Sequence, residues 1–121
     1  MDWEKISQYQ FLSEDFIREF QDKVYFHIIS QYQSLSEDFI REFEYDVNWV
    51  NISAFQQLSE DFIREFQDKV DWGNISYNRE LSEDFIIEFQ NKVNWKWISF
   101  NYKIPDETKH NLKAQGFPIY I

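Results

Sequence analysis

Cysteine is absent from the 121-residue chain, which excludes disulfides and thiolate metal sites and removes any reason to expect an oxidising compartment. Glycine, proline and alanine occur only twice each. Gly73 and Gly116 stand alone, so there is no glycine-rich phosphate loop. The wealth of Phe, Tyr, Ile, Asn and Lys alongside this scarcity suggests an A+T-rich coding sequence. No window approaches 18 consecutive apolar residues, and the opening MDWEKISQYQ has neither a basic start nor an apolar run. A soluble, cytoplasmic protein without a secretory leader is expected. A chain of this length can bury roughly two thirds of its unfolded surface, so residues 1–121 are expected to form a single helical-repeat domain.

What the chain does have is repetition. LSEDFIREF runs from Leu12 to Phe20, returns at Leu35–Phe43 and Leu58–Phe66, and appears once more at Leu81–Phe89 with Ile87 in place of arginine. The same step of 23 links Ile6, Ile29, Ile52, Ile75 and Ile98, and the aromatic series Trp3, Phe26, Trp49, Trp72 and Trp95. Repeats therefore span 2–24, 25–47, 48–70 and 71–93, with a capping unit over 94–121.

Within a repeat the period is helical. Phe16, Ile17, Phe20 and Val24 fall within an arc of about 100°, with acids and Arg18 opposite. Ser13 is a fitting N-cap, Glu14 and Asp15 suit the positive end of the helix dipole, and Leu12 is placed to staple Ile17. VDWGNIS, from Val70 to Ser76, has the same form around Asp71, and Trp3, Ile6 and Tyr9 share one face of the companion helix. Helices are predicted over 13–24, 36–47, 59–70 and 82–93, alternating with 2–10, 25–33, 48–56, 71–79 and 94–102. Such short helices do not survive alone in water, so tight hairpins must bury one another. The fold class predicted is all-α, a small α-solenoid.

The ends depart from the pattern. Pro105 replaces the cap serine, and a polar helix over 106–115 would shield the last layer. The Trp3 helix opens the array with no matching predecessor. Ile87 lies on the polar side of its wheel, and the apolar tail GFPIYI is expected to fold back and bury it.

Charge is uneven: residues 2–93 carry −12 and residues 94–121 carry +2, within the chain's −10. Hairpins stacked roughly 10 Å apart would spread the repeats' charge over about 40 Å, around half the linear density of duplex DNA. Direct binding to nucleic acid or an anionic membrane is disfavoured. Part of the pattern also has a structural reading, because Glu14 with Arg18 and Glu19 with Lys23 are i,i+4 pairs in the favourable order.

Catalytic signals are thin. The carboxylate pair Glu14 and Asp15 recurs in every repeat, whereas acid–base chemistry needs one pair in divergent environments. No enzyme, cofactor or metal is expected. His27 and His110 read as surface residues, and the NIS triplets at Asn51 and Asn74 as first turns of helices.

Function is then expected where repeats differ. The slots at residues 4–5, 27–28, 50–51, 73–74 and 96–97 read EK, HI, VN, GN and KW. Tyr25, Ile28, Glu37, Asp38, Tyr45, Val50 and Trp97, with Phe11 nearby, are the candidate partner-binding residues, since aromatics amid acids suit a protein-binding surface. LSEDFIREF together with VDWxxIS resembles short helical-repeat arrays in proteins of giant DNA viruses and low-GC bacteria, over residues 2 to about 99. That resemblance implies a helical-repeat fold and carries over no catalytic residue. The expectation is a non-enzymatic protein-binding module. Alternatives are a viral- or phage-type inhibitor that blocks the basic nucleic-acid-binding groove of a host defence enzyme, acting as a nucleic-acid mimic, and a structural self-assembling array.

Overall fold

The computed structural model describes all 121 residues. It contains ten helices: α1 (Trp3–Tyr9), α2 (Glu14–Glu19), α3 (Phe26–Tyr32), α4 (Glu37–Glu42), α5 (Trp49–Phe55), α6 (Glu60–Glu65), α7 (Trp72–Asn78), α8 (Glu83–Glu88), α9 (Trp95–Phe100) and α10 (Asp106–Ala114). They form two compact units, Met1–Lys69 and Val70–Ile121. Each is a short stretch of α-solenoid built from the same hairpin. No helix is long and apolar enough to cross a membrane.

The caps form as the sequence requires. Ser13, Ser36, Ser59 and Ser82 each accept the N–H of the phenylalanine three residues on, at 3.1 Å. Asp2, Asn48, Asp71 and Asn94 do the same for α1, α5, α7 and α9, whereas Tyr25 starts α3 without a side-chain cap.

The even-numbered helices of the four repeats are shorter than predicted, at six residues each. Each stops at a phenylalanine that leaves the helical region: Phe20 sits at φ −109°, ψ 29° and Phe43 at φ −106°, ψ 32°. A single turn follows, in which the Lys23 and Val24 N–H groups both reach the Phe20 carbonyl, at 2.8 and 3.1 Å. This bend swings Val24 and Val47 into the core. A wheel drawn at constant pitch misses it because every residue in the segment remains compatible with helix.

In the Met1–Lys69 unit α3 lies between α1 and α5. The centre is Ile17, Ile29, Phe39, Ile40, Ile52, Phe62 and Ile63, all fully or almost fully buried. Burying such a side chain contributes about 1.5–3 kcal/mol. Each repeat also closes an aromatic cluster, such as Trp49 with Phe66 at 5.1 Å and Phe62 with Phe66 at 4.7 Å.

Polar side chains join one repeat to the next. The Gln33 carboxamide donates to the carbonyls of Ser7 and Gln10 at 2.9 and 2.7 Å and accepts the Leu12 N–H at 3.2 Å. Gln56 does the same for Ser30, Gln33 and Leu35. Ser7 and Ser30 hydroxyls accept the N–H groups of Tyr25 and Asn48. The Glu14 carboxylate receives both the N–H and the hydroxyl of Ser36, and Glu37 likewise holds Ser59. Arg18 donates to Glu42 at 2.9 Å, far closer than its 3.9 Å approach to Glu14, so the expected i,i+4 pair is secondary to a bond between repeats. Buried backbone groups at helix ends are thus satisfied by the neighbouring repeat, as a packed interior demands.

The Val70–Ile121 unit sets α7 against α9. Asn101 takes the place of the ladder glutamine, donating to the Ser76 and Arg79 carbonyls at 3.0 and 2.8 Å. Pro105 starts α10 in register with the repeat. Proline has neither N–H nor hydroxyl to offer Glu83, and Asn111 and Gln115 amides bond that carboxylate instead, each at 3.3 Å. α10 ends in a Schellman turn: Gly116, at φ 97°, donates to the Lys113 carbonyl and Phe117 to that of Leu112.

The tail is then fixed on α9 and α10. Phe117 stacks on Trp95 at 5.1 Å and 12°, Tyr120 donates its N–H to the Ser99 hydroxyl at 2.8 Å, and Lys113 Nζ reaches the Ile121 carbonyl at 2.9 Å. Ser99 therefore gives the tail the bond that Ser7 and Ser30 give the next repeat. Ile87 itself is half-buried. In register its forward neighbour is Asn111, where Glu42 and Glu65 stand for Arg18 and Arg41, so an arginine at 87 would meet no carboxylate at that position.

Candidate functional site

α1, α3 and α5 end at Gln10, Gln33 and Gln56, whose backbones are already extended, near φ −93°, ψ 146° for Gln10. The chain leaves each helix abruptly, and the last helical residue is turned outward. Tyr9, Tyr32 and Phe55 therefore form an exposed row at a spacing of 23, 70, 51 and 56% exposed, with fully exposed Phe11 beside them. Tyr9 is the last residue of α1, and it is more exposed than Trp3 and Ile6, which are half-exposed.

These aromatics edge a groove of about 730 Å³ within the Met1–Lys69 unit. Gln33 and Gln56 line it, but their carboxamides are committed to the ladder. Gln8, Gln31 and Gln57 also line it and supply further amides. The groove thus combines aromatic faces with neutral hydrogen-bonding groups. Its unit carries −9, against −1 for residues 70–121.

A smaller notch of about 350 Å³ lies in the Val70–Ile121 unit, between Asp71, Gly73, Asn74, Tyr77 and Trp97. Tyr77 and Trp97 meet edge to face at 5.0 Å and 88°. A Cβ on Gly73 would come within 3.1 Å of an Asp71 carboxylate oxygen, so glycine keeps the notch open where other repeats carry a side chain. The Lys96 ammonium stands 5.9 Å from the Trp97 ring centre.

The seven residues singled out from sequence do not form one site, and none lines the groove. Ile28 is buried, a correction that follows from the position of α3 between α1 and α5, which covers both its flanks. Glu37 is half-buried and bonded to Ser59, so its charge serves stacking. Asp38 is exposed beside Arg41 at 2.7 Å. Tyr45 is exposed with the Lys69 ammonium 4.0 Å over its ring, and Tyr25 and Val50 are exposed on other parts of the unit's surface. Trp97 lies in the notch. Phe11, named beside the seven, does edge the groove, whereas Tyr9, Tyr32 and Phe55 were missed as candidates, although Gln-Tyr-Gln at 8–10 and again at 31–33 is a signal in plain sight.

Electrostatics follow the ladders. The hydrogen bond from Arg41 holds the Glu65 carboxyl below its usual range, and the same bond raises Arg41. Arg18 is raised by its bond to Glu42. Burial pushes Arg79 down. Glu14 and Glu37 are engaged identically, each on a cap serine, so these repeated acids share one environment. His27 and His110 are exposed, and the Asn51 amide donates to the His27 carbonyl at 2.8 Å from the first turn of α5. No protein-family model matches the sequence, and neither the curated proteins nor the solved structures contain a match.

Proposed function

We propose that this chain is a non-enzymatic protein-binding module that holds its partner in the groove of the Met1–Lys69 unit. The observation that carries this reading is the row Tyr9, Tyr32 and Phe55 with Phe11, four large aromatics exposed together beside unspent amides. Exposed aromatics at one edge of a cavity are costly in water and act as anchors when a partner covers them. Amides along the same groove suit the backbone of a peptide segment. The −9 of this unit draws basic partners and speeds their encounter.

The test uses one partner, captured from host lysate and then purified. Its affinity for the chain is compared with that for a Tyr9→Ala, Tyr32→Ala, Phe55→Ala variant. A loss of at least tenfold with unchanged circular dichroism supports the groove. Unchanged affinity refutes it. Acidity favours the second reading, an inhibitor of the nucleic-acid groove of a basic protein. Binding that collapses between low and high salt, and is indifferent to the three alanines, selects that mimic over the aromatic anchor.

A further inference from the structure

The hairpin of residues 2–24 has an outward side, opposite the one it turns toward α3 and α4. On it Ile6, Leu12, Phe16 and Phe20 are half-exposed and Gln10 is exposed, whereas their counterparts Ile29, Leu35, Phe39, Phe43 and Gln33 are buried. Sequence does not explain the difference, because Leu12–Phe20 and Leu35–Phe43 are identical. The second hairpin has another hairpin stacked on that side.

The polar groups specify what fits there. Ser36 spends its N–H and hydroxyl on Glu14, and Ser13 presents the same two donors. Glu42 receives Arg18, whose guanidinium also lies 5.4 Å over the Phe39 ring; Glu19 and Phe16 occupy those places in the first hairpin. Gln33 inserts between two carbonyls and an N–H of the previous hairpin, and Gln10 is its exposed counterpart. Each complementary group is one that LSEDFIREF and its companion helix supply.

We propose that this outward face is a docking site for a helical hairpin of another polypeptide that follows the same repeat grammar. It would bring a glutamate to Ser13, an arginine four residues later to Glu19 and the Phe16 ring, helix-end carbonyls to Gln10, and an apolar layer to Ile6, Leu12, Phe16 and Phe20. A second copy of this chain is the wrong occupant, because its last hairpin carries Asp106 and His110 where the glutamate and arginine are needed, and its Ser99 and Trp95 are in use by Tyr120 and Phe117. Two units of −9 also repel each other. The face borders the groove, since Gln10 and Leu12 line both, but the inference does not rest on the groove's aromatics.

The probe is the sequence of residues 48–70, joined ahead of the full chain through a flexible Gly/Ser linker, because an isolated hairpin is too short to fold alone and tethering raises its effective concentration. The expected result is a denaturation midpoint higher by roughly 5 °C, with amide shifts concentrated at Leu12 and Ser13. Both effects should vanish when the probe's arginine is changed to glutamate, or with Gln10→Ala in the chain. An unchanged midpoint and unshifted amides overturn the proposal. Sedimentation of the untethered chain as a dimer that Gln10→Ala dissolves also overturns it, in favour of self-association.

Discussion

The two units use one hairpin for different ends. Met1–Lys69 repeats its phrase without change, carries −9, and leaves a groove and its first apolar layer open. Val70–Ile121 carries −1, breaks the phrase at Ile87 and Pro105, and covers α9 with α10 and the tail. Identical residues therefore govern stacking, and deviations govern where stacking stops. His110 and Phe117 show it most clearly: His110 stands where Arg18 and Arg41 reach forward to the next repeat, and Phe117 covers Trp95.

The sharpest way to break this comparison is a pair of phenylalanines in the same position of the phrase. Phe62→Ala empties a fully packed site and should cost about 3–5 kcal/mol, measured by chemical denaturation. Phe16→Ala, at a half-exposed site, should cost about half as much or less. Equal losses would mean that the first layer is as closed as the interior.

Removal of Phe117–Ile121 tests the closed end. The stack on Trp95 and the burial of Ile119 are lost, and the Ser99 hydroxyl gives up its tail donor, for an expected cost of about 2–4 kcal/mol. A cost under about 1 kcal/mol would show that α10 alone suffices as the cap.

Gln33→Leu in the first unit orphans two carbonyls and an N–H in a buried setting, for about 2–3 kcal/mol. Asn101→Leu orphans two carbonyls and the Lys103 N–H in the second, and should cost somewhat less because Lys103 is exposed and water can take up its N–H. If Asn101→Leu cost more, the shorter side chain would be doing something the ladder geometry does not contain.

Architecture was legible because a period of 23 with a cap at each helix start leaves few alternatives. Ser13, Asp71 and Pro105 all took the places their chemistry implied. The candidate site was much less legible. Glu37 and Arg41 read as surface charge because their partners, Ser59 and Glu65, lie 22 and 24 residues away and meet them only once hairpins stack. Ile28 read as exposed because a wheel shows one helix, and its burial comes from two others. Tyr9, Tyr32 and Phe55 do not stand out as a row in the sequence because the helix end that turns them outward is a backbone event with no side-chain signal beyond the flanking glutamines.

The smallest expected effect separates the units by pH. Arg41 donates to both carboxylate oxygens of Glu65 at 2.8 Å, and that bond depresses the Glu65 carboxyl from its ordinary 4.5. A carboxyl lowered in the folded state contributes stability that is present above its unfolded value and fades as pH falls through the folded one. The pair lies at the surface, open to solvent, so the contribution is slight and screened by salt. Melting temperatures of the native chain and of Glu65→Gln should differ slightly at pH 7, and the gap should close as the pH is taken below about 4.5. At the equivalent step of the second unit, Ile87 and Asn111 do not titrate, so Ile87→Ala should show a gap that stays flat over the same range. A Glu65→Gln gap that persists undiminished at pH 3 would mean the carboxamide's loss of shape, and not of charge, is what destabilises, and the ladder would then differ between the two units in packing alone.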